Sequence, residues 1–196
     1  MLKMYSLWTT WPLAAATTLT GMLWCSTAVA ELPREADLSV SEIQLNDISS
    51  ARLPFGAQVQ LDDPDSDHPK AFICNADRTE KLTLVYYEGD TSYIISEFQV
   101  ERVETRYVDC VQPPRQIDRF VSGKGIQLGM TRSDITHIFG NDYNEQPQLD
   151  EVVISYRIDN KNESGFLQNN SAPAYYGQYH FKQDKLVRFS FGFEFP

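Results

Sequence analysis

The side chains that could do chemistry in this chain are three histidines, three cysteines and an acidic run, and their spacing argues against most catalytic arrangements. Nucleophilic catalysis needs a Ser or Cys beside a His that a carboxylate orients. His68, His137 and His180 are scattered along the chain and no G-x-S-x-G motif occurs, so a small hydrolase would need a dispersed site around His137 or His180. Asp63, Asp65 and Asp67 imitate the start of a calcium loop, but His68 stands where the turn needs glycine and Cys74 where the closing glutamate belongs. Gly123, Gly125 and Gly129 come close to a phosphate loop, yet a dinucleotide fingerprint would put glycine at Leu128, and no Gly-Lys-Ser/Thr follows a longer spacer. The expectation is therefore no catalytic residue, no metal ligand and no cofactor. Tyr175, Tyr176, Tyr179 and His180 form a candidate partner-binding strand instead. The alternative for the tyrosines is the lining of a small-ligand carrier.

What the cysteines do depends on the compartment. Lys3 is the only charge among residues 1–30, an apolar stretch runs from Trp11 to Trp24, and Ala28-Val29-Ala30 has the small-x-small pattern of a cleavage site. That stretch falls short of the roughly 20 residues a spanning helix needs. Trp24 is a poor neighbour for lipidation at Cys25. Residues 1–30 are expected to be a signal peptide, and the mature chain a periplasmic or secreted protein beginning at Glu31. Cys25 leaves with the leader, and the remaining pair, Cys74 and Cys110, is expected to form one disulfide in an oxidising space. Lys3 also leaves, so 16 basic residues face 27 acidic ones, a mature charge of −11. Such a surface disfavours nucleic acid and anionic membrane, and favours a protein partner, a basic one above all. No membrane span is expected after cleavage.

These groups must be positioned by strands and one helix. Residues 82–87 and 92–101, joined by Glu88-Gly89-Asp90, read as a hairpin with Ile94, Phe98 and Val100 on one face. Another strand is expected at 105–110, and Pro113-Pro114 as a linker. The chain then divides into a β-rich half, 31–112, and a helix-plus-antiparallel-sheet half, 115–196. In the second half Thr131 and Asp134 are placed to form a capping box, and Ile135, Ile138 and Phe139 make one apolar stripe that Gly140 ends. Strands are expected at 151–157, 175–181 and 185–193. In the last of these Val187, Phe189, Phe191 and Phe193 alternate with Arg188, Ser190 and Gly192. Residues 158–174 read as a long loop. IQLNDISSARLPFG at 43–56 echoes IQLGMTRSDITHIFG at 126–140, either as one of two degenerate repeats or as chance similarity.

The segment GIQLGMTRSDITHIFGND, at 125–142, resembles the helix-initiating motif of the SmpA/OmlA (BamE-like) family and of domains shaped like β-lactamase inhibitor protein. The matching positions are Ile126, Leu128, Gly129, Met130, Thr131, Ile135 and Gly140. The resemblance implies an α+β fold, mainly antiparallel sheet with one or two short helices packed on one face. It also implies work as a protein-interaction module: an envelope accessory, an inhibitor or an immunity protein.

Overall fold

The computed structural model describes residues 36–47, 49–50, 62, 66–88, 93–103, 110–160, 162 and 164–195. The expected leader at 1–30, Asp63 and Asp65 of the acidic run, Gly89-Asp90 and residues 105–109 lie outside the described residues. In chain order the elements are β1 (Ser39–Val40), β2 (Ile43–Gln44), β3 (Lys70–Cys74), β4 (Glu80–Glu88), β5 (Tyr93–Arg102), α1 (Arg132–Phe139), β6 (Asn144–Gln148), β7 (Glu151–Ile158), α2 (Gly165–Asn169), β8 (Ala174–Lys182) and β9 (Lys185–Glu194). Strands β3 to β9 form one antiparallel sheet in the order β3-β4-β5-β9-β8-β7-β6. The β5–β9 pairing, Glu97 opposite Gly192 through Glu101 opposite Arg188, joins strands of the two expected halves in that sheet.

Alternation in the strands separates two faces. Leu82, Leu84 and Tyr86 of β4, Phe98 and Val100 of β5, and Phe189, Phe191 and Phe193 of β9 are buried on one of them. Two bulges adjust the expected pattern. One, between Val85 and Tyr86, sets Ile95 rather than Ile94 in the core. The other, between His180 and Phe181, lets Leu186 pair with Phe181 and leaves Val187 out of the alternation. A bulge adds a residue to one strand only, so it shifts the inward set by one position from there on.

The α+β expectation is overturned. Among the described residues strand makes up 47% and helix 10%, the helices being one piece of eight residues and one of five, so the structure is β-rich. The reason lies in what covers the apolar face. Much of that layer is irregular chain: Val40, Ile43 and Leu45 from the β1–β2 ribbon and Phe120, Ile126 and Leu128 from the segment before α1 join the core, with Ile135 and Leu167 from the helices. The Pro113-Pro114 break and the glycines of 123–129 keep that segment non-helical. Buried polar groups hold it in place instead. Glu80 accepts the Phe120 amide at 2.9 Å, and Asn75 donates to the Asp118 carbonyl at 2.8 Å.

The helix itself follows its local signals. Thr131 accepts from the Asp134 amide, and the Asp134 carboxylate accepts from the Thr131 amide at 2.8 Å. Gly140, at φ 90, ends the helix. Ile135 is fully buried, while Ile138 and Phe139 are half-buried against the core. Gly129 has φ 91, which lets its amide donate to the Leu186 carbonyl while Leu186 returns a bond to Met130, so the helix start is tied to the β8–β9 hairpin. Asn46, the counterpart of Gly129 in the 43–56 echo, also has positive φ and donates to the Ile95 carbonyl. The 158–174 segment is not a plain loop: Ser164 caps α2, which buries Leu167. Cys74 and Cys110 are disulfide-bonded, with Cα atoms 5.6 Å apart, and tie β3 to the chain that follows β5.

Candidate functional site

The face of the sheet opposite the core is polar, and its residues fall into register as rows. Thr83, Gln99, Ser190, Gln178, Ser155 and Asn144 lie side by side across six strands, each paired with the next. Thr83 and Ser190 are buried within the row, and Gln99, Gln178, Ser155 and Asn144 are the members that reach solvent, uncharged hydrogen-bonding groups that a partner can satisfy without stripping water from an ion. A flanking row sets Lys81 against Glu101 at 2.6 Å and Arg188 beside His180 at 2.9 Å. On the other flank, Arg157 grips Glu194 through two bonds of 2.6 and 2.8 Å, and Tyr176 stands beside Arg157. Gly192 sits in this row because a Cβ there would come within 2.7 Å of the Glu97 Cα. A groove of about 620 Å³ runs over Gln99, Gln178, Ser190 and Arg188.

At one end the polar rows meet an aromatic stack. Tyr87 lies 4.9 Å from Phe195 and 6.2 Å from His68, centroid to centroid, and both pairs are stacked. Tyr176 and Lys70 line the same hollow of about 310 Å³. His68 is exposed, and Tyr87, Tyr176 and Phe195 are half-exposed.

Charges on this face are largely matched within it. Arg157 holds the Glu194 carboxyl below its ordinary range through their hydrogen bonds. Burial, and then the neighbouring Arg188, lower the His180 pKa, although Glu151 at 3.2 Å pulls it upward. The His180 Nδ1 lies between Arg188 at 2.9 Å and Glu151 at 3.2 Å. Burial, reinforced by Glu97, raises the Tyr176 phenol, so it stays neutral.

The strand singled out as a partner surface is split by its own alternation. Tyr175 and Tyr179 point into the core and are buried, so a partner on the sheet cannot reach them. Tyr176 and His180 belong to the open face. His137 is exposed in the last turn of α1, on the core side of the sheet, and so lies across the sheet from His180. Among the described residues no group of three His, Cys, Asp or Glu side chains could hold a metal ion, and no helix is long and apolar enough to cross a membrane. The polar row was missed in the sequence because each strand contributes one member, and only the register aligns them. Its one local trace is the run of uncharged polar residues at the outward positions Thr83, Gln99, Gln178 and Ser190. Compared with family models, curated proteins and solved structures, the chain matches none.

Proposed function

We propose that this protein is an exported protein-interaction module that docks a protein partner on the open face of its sheet. Residues 1–30 serve as the leader, and the mature chain works in the periplasm or outside the cell as an envelope accessory, an inhibitor or an immunity protein. The observation that carries the reading is the juxtaposition on one face of the uncharged polar row and the stack of His68, Tyr87 and Phe195. Interfaces draw most of their energy from a few aromatic or arginine anchors, surrounded by polar contacts that exclude water. The internal matching of charge on this face leaves the net acidity of the chain to the rest of the surface, where it acts at long range and speeds the approach of a basic partner. The helix start around Gly129–Thr131, with its likeness to BamE-like proteins, supports the same class of work.

The test is affinity capture from envelope extract with the wild-type protein and with a Tyr176→Ala/Gln178→Ala double variant. Capture should fall about tenfold or more with the double variant while its urea midpoint is unchanged. Ser133→Ala, on α1, should leave capture as it was. Equal capture by wild type and double variant would move the partner off this face. Hydrolysis of a peptide, ester or peptidoglycan substrate that His137→Ala or His180→Ala abolishes would replace the reading with an enzymatic one.

A further inference from the structure

A second hollow opens on the core side of β8, beside the helix. It is a cleft of about 580 Å³ between α1, the Gly140–Asp142 segment and strands β7 and β8, a size that suits a small ligand. Alternation points Gly177 to the core face between Tyr175 and Tyr179, opposite Tyr156 on one side and Phe191 on the other. The missing side chain lets the Tyr179 ring lie over Gly177, its hydroxyl 3.1 Å and its ring 3.2 Å from where a Gly177 Cβ would stand.

The three tyrosines of the cleft differ in how their hydroxyls are used. Tyr175 donates to the Asp37 carbonyl at 2.8 Å and Tyr156 to the Gly140 carbonyl at 2.9 Å. Tyr179 is 1% exposed, and among the described residues its hydroxyl has no hydrogen-bond partner. The Tyr179 ring is buried, but its hydroxyl is not sealed off, so it reaches the cleft and is free there to pair with a ligand. The lining also sets the ligand's chemistry. Phe139, Tyr156, Tyr175 and Tyr179 present ring surface. The rim carries Asp142 and His137, and its Arg157 is already engaged by Glu194 and Asp159, so the site presents no unengaged arginine or lysine to an anion. Ser133, Thr136 and Asn141 supply neutral hydrogen-bonding groups.

We propose that this cleft binds a small neutral ring compound bearing hydroxyl groups, with the ring packed on the aromatic wall and one hydroxyl paired with Tyr179. A saccharide and a phenol share that chemistry. The site is on the opposite side of the sheet from the proposed protein-docking face and does not depend on it.

The test is saturation-transfer NMR on the full chain with cellobiose and, separately, 4-ethylphenol at millimolar concentration. Transfer to the ring protons of one probe or the other is expected, and which probe responds assigns the ligand to saccharides or phenols. Tyr179→Phe removes one unpartnered oxygen and keeps the ring, so the fold should survive while affinity falls about five- to tenfold. Gly177→Ala, whose Cβ would push on the Tyr179 ring, should weaken binding by displacing that ring, and Tyr176→Ala/Gln178→Ala should leave it unchanged. Absence of transfer to either probe, or equal affinity of wild type and Tyr179→Phe, would overturn the proposal.

Discussion

Removing the same oxygen from two tyrosines of one strand should have unequal consequences. Tyr175 and Tyr179 are both buried on the core face of β8. The Tyr175 hydroxyl accepts from the Asp37 amide at 3.1 Å and donates to the Asp37 carbonyl at 2.8 Å, so it satisfies both main-chain groups of one residue in the segment that leads into β1. Tyr175→Phe leaves that donor and that acceptor without their partner in a dry site. Each orphaned group costs roughly 1–3 kcal/mol, so losing both should cost the variant about 2–6 kcal/mol of folding free energy. With a urea dependence of about 2 kcal/mol/M, the unfolding midpoint falls by about 1–3 M. Tyr179→Phe breaks no hydrogen bond among the described residues and should change stability by less than about 0.5 kcal/mol or raise it. Urea titrations followed by far-UV circular dichroism measure both. If the two variants lose equal stability, the hydrogen-bond assignment on which the cleft argument also rests is wrong.

Reducing the Cys74–Cys110 bond should lower stability by roughly 3–4 kcal/mol, because the bond closes a separation of 36 residues in the unfolded chain. Urea midpoints with and without reductant check the size, and two alkylatable thiols in unreduced, denatured protein would show that the bond is absent. Asp37 should give stability a pH dependence of its own. Burial raises its carboxyl above the ordinary 3.8, against the opposing hydrogen bonds from Ser122, Lys124 and Ser39. Between 3.8 and the raised value the folded protein keeps a proton that the unfolded chain has released, so this group's contribution to stability falls as pH rises through that window. Asp37→Asn should flatten the part of the stability profile just above pH 3.8, and parallel profiles for the two proteins would remove Asp37 as its source.

Strand and helix signals that are local in the chain could be read without a structure. The β-branched and aromatic runs of β4, β5, β7, β8 and β9 announce strands, and Thr131, Asp134 and Gly140 announce the ends of α1, because caps and alternation involve residues within a few positions of one another. The disulfide was legible by counting, once Cys25 was assigned to the leader. Tertiary structure alone decided the rest. β3 and β6 are short edge strands: β3 is pinned by the disulfide and the Val111 bridge, and all five residues of β6, including Pro147, are exposed. The β5–β9 pairing brings together residues about ninety positions apart, and two bulges reset which side chains face inward. That register turned Tyr175 and Tyr179 into core and left Tyr176 and His180 on the open face, where the sequence showed only that the four fall on two alternating faces. The sequence by itself determined which segments could pair and where the helix begins and ends, because those are short-range properties of the chain. The polar row and the unpartnered Tyr179 hydroxyl over Gly177 arise only where distant strands meet, since hydrogen-bond satisfaction and empty space belong to the packed molecule and not to any segment of it.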